Sequence, residues 1–203
     1  LTRHHFNPIK ANPLYQATIN HATNLIAVSE VVRNTLRRAF PALAERICVI
    51  PNWLDERTQR QVSRREACDF FGVSRLWAVA ILGQITPLKR QDLFLEAVRL
   101  LTTNNAFERA EFFIVGQASA RDAEYETSLK TMVRQMQFAD RVHFTGQVEN
   151  LPKYLSAFDV VVAPSANEGF SLVTIEAMAA GCAVIATNAG GLAEIITNEQ
   201  TGL

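Results

Sequence analysis

No charge of either sign dominates this 203-residue sequence, in which 20 Lys and Arg face 20 Asp and Glu. The balance, with no Lys/Arg stripe interleaved with aromatics, removes the electrostatic case for a nucleic-acid partner. Basic pairs at Arg37-Arg38 and Arg64-Arg65 read as solvated helix faces, with peripheral contact to an anionic membrane surface as the alternative. Cysteine is scarce. Cys48, Cys68 and Cys182 are odd in number and stand in no Cys-x-x-Cys or Cys/His spacing, so they read as reduced core thiols. Four histidines show no metal-ligand spacing, and no metal site is expected. No apolar run approaches the ~20 residues that span a bilayer and no signal-peptide pattern opens the chain. Neither a Gly-x-Ser-x-Gly elbow nor a Walker lysine loop occurs, which argues against hydrolase and P-loop chemistry.

What is present is an ordinary globular composition, 48% hydrophobic, enough for one large domain or one and a half small ones. From Leu76 onward, strand-like runs at 78–82, 111–115, 142–144, 160–163 and 183–186 alternate with helical stretches at 89–101, 123–137, 152–157 and 172–180. That alternation predicts an α/β fold, a Rossmann-like parallel sheet with right-handed crossovers and helices on both faces. Upstream lie a helical stretch over 13–22, a short strand Leu25–Val28, a helix capped by Ser29 with Val32, Leu36 and Phe40 at helical spacing, and a strand-then-turn from Arg46 to Asn52.

The stretch from Pro164 to Gly191 carries most of the chemistry. Phe158-Asp159-Val160-Val161-Val162-Ala163 reads as a parallel strand covered on both faces. Glu168 therefore follows a strand's carboxyl end, the edge where open parallel sheets bind ligands. Gly169 permits close backbone approach, and the amides of Phe170, Ser171 and Leu172 open the next helix, where orphan donors favour an anion. Glu176 sits in that helix beside Leu172, Val173, Ala179 and Ala180, so the helix reads as apolar nearly all round and buried on both sides. A carboxylate there calls for a ligand hydroxyl or a cation; the alternative is a Glu that reaches solvent past small alanines.

The first strand of the alternating region runs into Gly83-Gln84-Ile85-Thr86-Pro87-Leu88-Lys89-Arg90, which places two cations in the first turn of the following helix. That is the unfavourable end of the helix dipole for positive charge unless an anion answers it. A diphosphate would answer it; pairing along the helix with Asp92 or Glu96 is the other reading. Gly116 and Gly146 end further strands on the same edge and read first as turn glycines.

The run Pro164-Ser165-Ala166-Asn167-Glu168-Gly169-Phe170-Ser171-Leu172, continued by Glu176-Ala177-Met178-Ala179-Ala180-Gly181 and Gly190-Gly191, resembles the Glu-x7-Glu signature of retaining GT-B glycosyltransferases, family four or glycosyl transferases group 1. Only Ser171, where Gly is usual, departs from it. Ala27-Val28-Ser29 and Val49-Ile50-Pro51-Asn52-Trp53-Leu54-Asp55 resemble segments that end the family's N-terminal domain, so the likeness runs from about Ala27 to Leu203. The resemblance implies a fragment of a two-domain enzyme: residues 1–56 end the acceptor-side domain, 57–75 link, and 76–203 form the nucleotide-sugar domain.

By that resemblance the reaction is retaining transfer of a sugar from a UDP-, GDP- or ADP-sugar to a carbohydrate or lipid-linked acceptor, in polysaccharide, lipopolysaccharide or glycolipid synthesis, without metal or cofactor. The protein would be cytoplasmic or peripheral at the inner face of the membrane. Glu168 and Lys89 would be catalytic, with His4 as the N-terminal histidine near the transferred sugar. Donor contacts would come from Gly83, Gln84, Lys89, Arg90, Val148, Glu168, Gly169, Phe170, Ser171, Leu172 and Glu176, with Val148 at the base and Glu176 at the ribose. Gln84 stands where the family's diphosphate-gripping Arg is usual, with Arg90 as a substitute source of charge. That departure keeps open a non-catalytic nucleotide-sugar-binding subunit; another GT-B enzyme, such as a sugar-nucleotide epimerase, is a third reading.

Overall fold

Two parallel sheets organise the chain, in a computed structural model that describes residues 2–3, 17, 19, 21–55, 61–101 and 107–203. The smaller pairs β1 (Thr2–Arg3), β2 (Leu25–Ala27) and β3 (Ile47–Val49) in that order. Between β2 and β3 runs α1 (Glu30–Ala39), capped as expected by Ser29, whose hydroxyl accepts from the Val32 amide. Val32 and Leu36 of α1 join Leu25, Ala27, Phe40 and Ile47 in a single apolar cluster. Most of the helix expected over 13–22 lies outside the described residues.

The larger sheet has the order β6-β5-β4-β7-β8, built from β4 (Trp77–Leu82), β5 (Ala110–Val115), β6 (Val142–Gly146), β7 (Val160–Ala163) and β8 (Ala183–Ala186). Every neighbouring pair is parallel. The apolar runs alternate between two covered faces, as the strand period of two dictates. Ala80, Leu82, Phe113, Val115 and Val161 face a cluster that includes Ala67 of α2 (Arg64–Phe71) and Ala177 of α5 (Leu172–Ala179). Ile81, Phe112 and Ile114 face Phe94, Leu95 and Val98 of α3 (Gln91–Leu101) and Leu129 and Val133 of α4 (Ala123–Arg134). The chain leaves β4 outward through β5 and β6, then returns to add β7 and β8 on the other side. The gap between β4 and β7 is thus the topological switch point, and the crevice beyond their carboxyl ends is where this architecture takes ligands.

The structure corrects several expectations. Lys89 and Arg90 precede α3 and do not form its first turn: Pro87–Lys89 is a 3₁₀ turn, and Arg90 adopts the left-handed conformation (φ 56°, ψ 45°) that ends it. Residues 151–157 also form a 3₁₀ segment, with Pro152, a residue without an amide donor, in its first turn. Helix α5 is not buried on both sides. Thr174 and Ala177 face the core, whereas Leu172 is 46% exposed and Glu176 is half-buried. Cys48 is exposed, so only Cys182 is a fully buried thiol. Among the described residues, no helix is long and apolar enough to cross a membrane.

Candidate functional site

Lys89 and Glu168 meet across the switch point. Lys89 is delivered by the turn after β4 and Glu168 by the loop after β7, and the ammonium donates to both carboxylate oxygens, at 2.7 and 2.8 Å. Their side chains are 24% and 15% exposed, enough cover to strengthen the attraction and enough opening for a ligand to reach it. An ammonium has three donors; two are spent on Glu168.

Glycines set the surrounding backbone. Gly116 (φ +141°) lies so near Gly83 that a Cβ on it would stand 2.0 Å from the Gly83 carbonyl oxygen. The Gly83 amide donates to Val115 O and the Gly116 amide to Gly146 O, each at 2.9 Å, which knits the ends of β4, β5 and β6 together. On the other side of the switch point, a Cβ on Gly190 would meet Glu168 O at 2.5 Å and one on Gly191 would meet Gly169 O at 2.3 Å. The Gly191 amide donates to Glu168 O at 2.7 Å. The loop that carries Glu168 is therefore clamped by a segment with no side chains.

Beside the ion pair opens a cavity of about 470 Å³, lined among others by Gly83, Gln84, Gly116, Gln117, Gln147 and Val148. Its lining combines glycines at the ends of β4 and β5 with the polar residues Gln84, Gln117 and Gln147. Gln117 donates to Gln147 at 2.8 Å across the rim. Gly83, Gln84 and Val148 are thus brought together, and Lys89 lies alongside, its Cε 3.8 Å from where a Gly83 Cβ would stand.

Other expected residues fall differently. Arg90 is held away from the pair, its Nε on Asp92 at 3.1 and 3.2 Å. Asp92 in turn accepts from the Tyr125 hydroxyl at 2.8 Å. Burial pushes the Asp92 carboxyl up, but the hydrogen bonds from Arg90 and Tyr125 outweigh it and hold the group below its ordinary value; burial pushes the Tyr125 phenol up to about 12. The Glu176 carboxylate makes no hydrogen bond or ion pair to the described residues, and burial raises its pKa. Ser171 is the N-cap residue of α5 without bonding its amides, its hydroxyl accepting instead from Thr174 at 2.8 Å. Phe170 packs against the apolar cluster of the smaller sheet, Gly169 is buried and Leu172 begins α5. His4 lies outside the described residues. Among those residues, no cluster of three or more His, Cys, Asp or Glu side chains could hold a metal ion.

The model of the glycosyl transferases group 1 family matches residues 78–203, which include every element of this site. The chain belongs to that family. It is 35% identical over 127 residues to the lipopolysaccharide core biosynthesis mannosyltransferase LpsB of Rhizobium meliloti, an alignment that covers 62% of this chain and 36% of that protein. It is 31% identical over 189 residues to D-inositol 3-phosphate glycosyltransferase 2 of Catenulispora acidiphila, covering 91% of this chain and 44% of the relative. The chain thus spans less than half the length of these two group 1 relatives. The structure of Anabaena Alr3699/HepE in complex with UDP-glucose superimposes with a TM-score of 0.85 at 24% identity, over 100% of this chain and 56% of that one. That likeness establishes the GT-B fold.

Two supports of the group 1 site are missing from the sequence reading. Gln91, 1% exposed, donates to Gln84 O at 3.1 Å and accepts from the Thr86 amide at 3.4 Å, stapling the turn that presents Lys89. Glu194, on α6 (Leu192–Ile195) just past Gly191, bonds the backbone of α1. A buried Gln at a helix start and a Glu in a one-turn helix look ordinary in sequence; Gly190-Gly191 was the available pointer to the latter.

Proposed function

We propose that this chain carries the donor-binding half of a glycosyltransferase that moves a sugar from a nucleoside diphosphate sugar, with retention, to an acceptor in lipopolysaccharide-core or glycolipid synthesis. The observation that carries this reading is the Lys89–Glu168 ion pair at the switch point, beside a cavity of about 470 Å³. The remaining Lys89 donor takes a diphosphate oxygen, where negative charge grows as the sugar–phosphate bond breaks; such preorganised cations act most strongly in the transition state. Glu168 orients the sugar and Glu176 receives the ribose hydroxyls. The nucleobase enters the cavity past Val148, and Gln84 meets the diphosphate as a neutral donor. The names of both curated relatives support the reaction class, and the UDP-glucose held by the Anabaena protein supports room for such a donor in this fold.

Calorimetric titration with UDP-, GDP- and ADP-sugars tests the reading. One nucleotide series should bind, and Lys89→Ala should weaken it by about tenfold or more, the loss expected for a charged hydrogen bond. Absence of binding by all three, or equal binding by the variant, would remove it. Gln84 at the position of the family's usual Arg favours a second reading, a subunit that binds the donor without turning it over. Acceptor-dependent donor consumption separates the two.

A further inference from the structure

The first amides of a helix have no acceptor within it, and in α1 two of them are satisfied from the far end of the chain. Glu194 Oε2 accepts the Glu30 amide at 2.8 Å and Oε1 the Val31 amide at 2.9 Å, with Glu30 and Glu194 164 positions apart in sequence. The carboxylate sits at the positive end of the helix dipole, where its charge is favourable. The side chain of Glu30 does not compete, because it pairs with Arg33. Ser29 takes the next amide, that of Val32, at 3.3 Å.

Three residues before Glu194 is Gly191, whose amide holds Glu168 O at 2.7 Å. A continuous link therefore runs from α1 through the Glu194 carboxylate and α6 to the carbonyl of Glu168. Phe170 adds a second attachment by packing on the cluster that contains Val32 and Leu36. We propose that Glu194 is a positioning residue: it ties the orientation of the smaller-sheet unit to the loop that presents Glu168, so that donor binding and the docking of α1 favour one another. This rests on the donor-site reading of Lys89 and Glu168 given above. A coupling of this kind is reciprocal, so whatever factor the donor adds to α1 docking, docking adds to donor affinity.

Hydrogen exchange at the Glu30 and Val31 amides, followed by NMR in the 203-residue chain, reads the link directly because nothing inside α1 protects them. Glu194→Gln keeps the size but offers one acceptor and no charge. Exchange should be slower in the wild type than in Glu194→Gln by about tenfold or more, as expected for charge-assisted bonds. Saturation with whichever of UDP-glucose, GDP-mannose or ADP-glucose binds should slow it further in the wild type only. Donor affinity should fall in Glu194→Gln by the same factor that the donor adds to protection. Ser29→Ala removes the neighbouring cap and serves as the control, loosening α1 while leaving the contact of Glu194 and the donor affinity in place.

Equal exchange in wild type and Glu194→Gln would overturn the contact and the proposal. Slower wild-type exchange with an unaltered donor Kd, or an equal loss of affinity in Ser29→Ala, would make Glu194 a structural cap and overturn the positioning role. If the wild type binds none of the three donors, the donor-site reading fails and the coupling fails with it, yet the exchange difference still reports the cap, so the two failures are distinguishable.

Discussion

Glu176 holds a carboxyl that burial raises above its ordinary value of 4.5. Between the ordinary and the raised value the native state binds more protons than the unfolded chain, so this group's contribution to stability is complete below 4.5 and is lost as pH rises through the folded-state value. Without ligand, Glu176→Gln should therefore melt higher than the wild type at about pH 8 and converge with it at about pH 4. Nucleotide-sugar affinity should move the opposite way, falling by ~1.5–3 kcal/mol if the carboxylate meets ribose hydroxyls. Melting curves at the two pH values and a donor titration check both. Lys89 poses the converse case. Lys89→Met strands Glu168, which is 15% exposed, and should cost ~1–2 kcal/mol of stability once solvent screening is allowed for. Adding Glu168→Gln should restore the melting temperature but not donor binding. A double variant that recovers both would remove the pair from the site.

The strand ends place these side chains, and their glycines are not equivalent. Gly116→Ala puts a Cβ 2.0 Å from the Gly83 carbonyl oxygen at φ +141°, whereas a Cβ on Gly146 (φ +71°) meets nothing within 4 Å. Denaturant unfolding should show ~3 kcal/mol or more for Gly116→Ala, against ~1–2 kcal/mol of left-handed strain for Gly146→Ala. Sequence pattern foretold the strands closely, because fully covered parallel strands read as unbroken apolar runs: Val160–Ala163 and Ala183–Ala186 match their expected bounds. It also brought out Glu168 and Lys89, each just past such a run. It could not show that Gly116 is fixed by Gly83, a contact between strand ends distant in sequence. Nor could it show that the helix starts at Gln91, since Lys and Arg are both good helix formers and nothing local marks Arg90 as left-handed. The expectation of a doubly buried α5 assumed a wheel covered all round; its first turn instead reaches the ligand edge, where Leu172 is exposed.

The two sheet units are joined through the loops that form the site. Phe170 lies on the apolar cluster of the smaller unit and Glu194 caps α1. Calorimetric unfolding should accordingly give one cooperative transition for the wild type, and Phe170→Ala combined with Glu194→Gln should resolve it into two. A single transition in the double variant would mean that other contacts hold the units together. The cavity has a different legacy. Part of its lining is glycine backbone, with Gly116 pressed on Gly83, while Gln84, Gln117, Gln147 and Val148 are among the residues that line the rest. Random variation can therefore rewrite those four residues one at a time while the packed glycines stay frozen. On the donor-site proposal, a lineage of such proteins would drift from one nucleotide to another by exchanging side chains at those four positions, and a saturation library should return many viable changes there and almost none at Gly116 or Gly191.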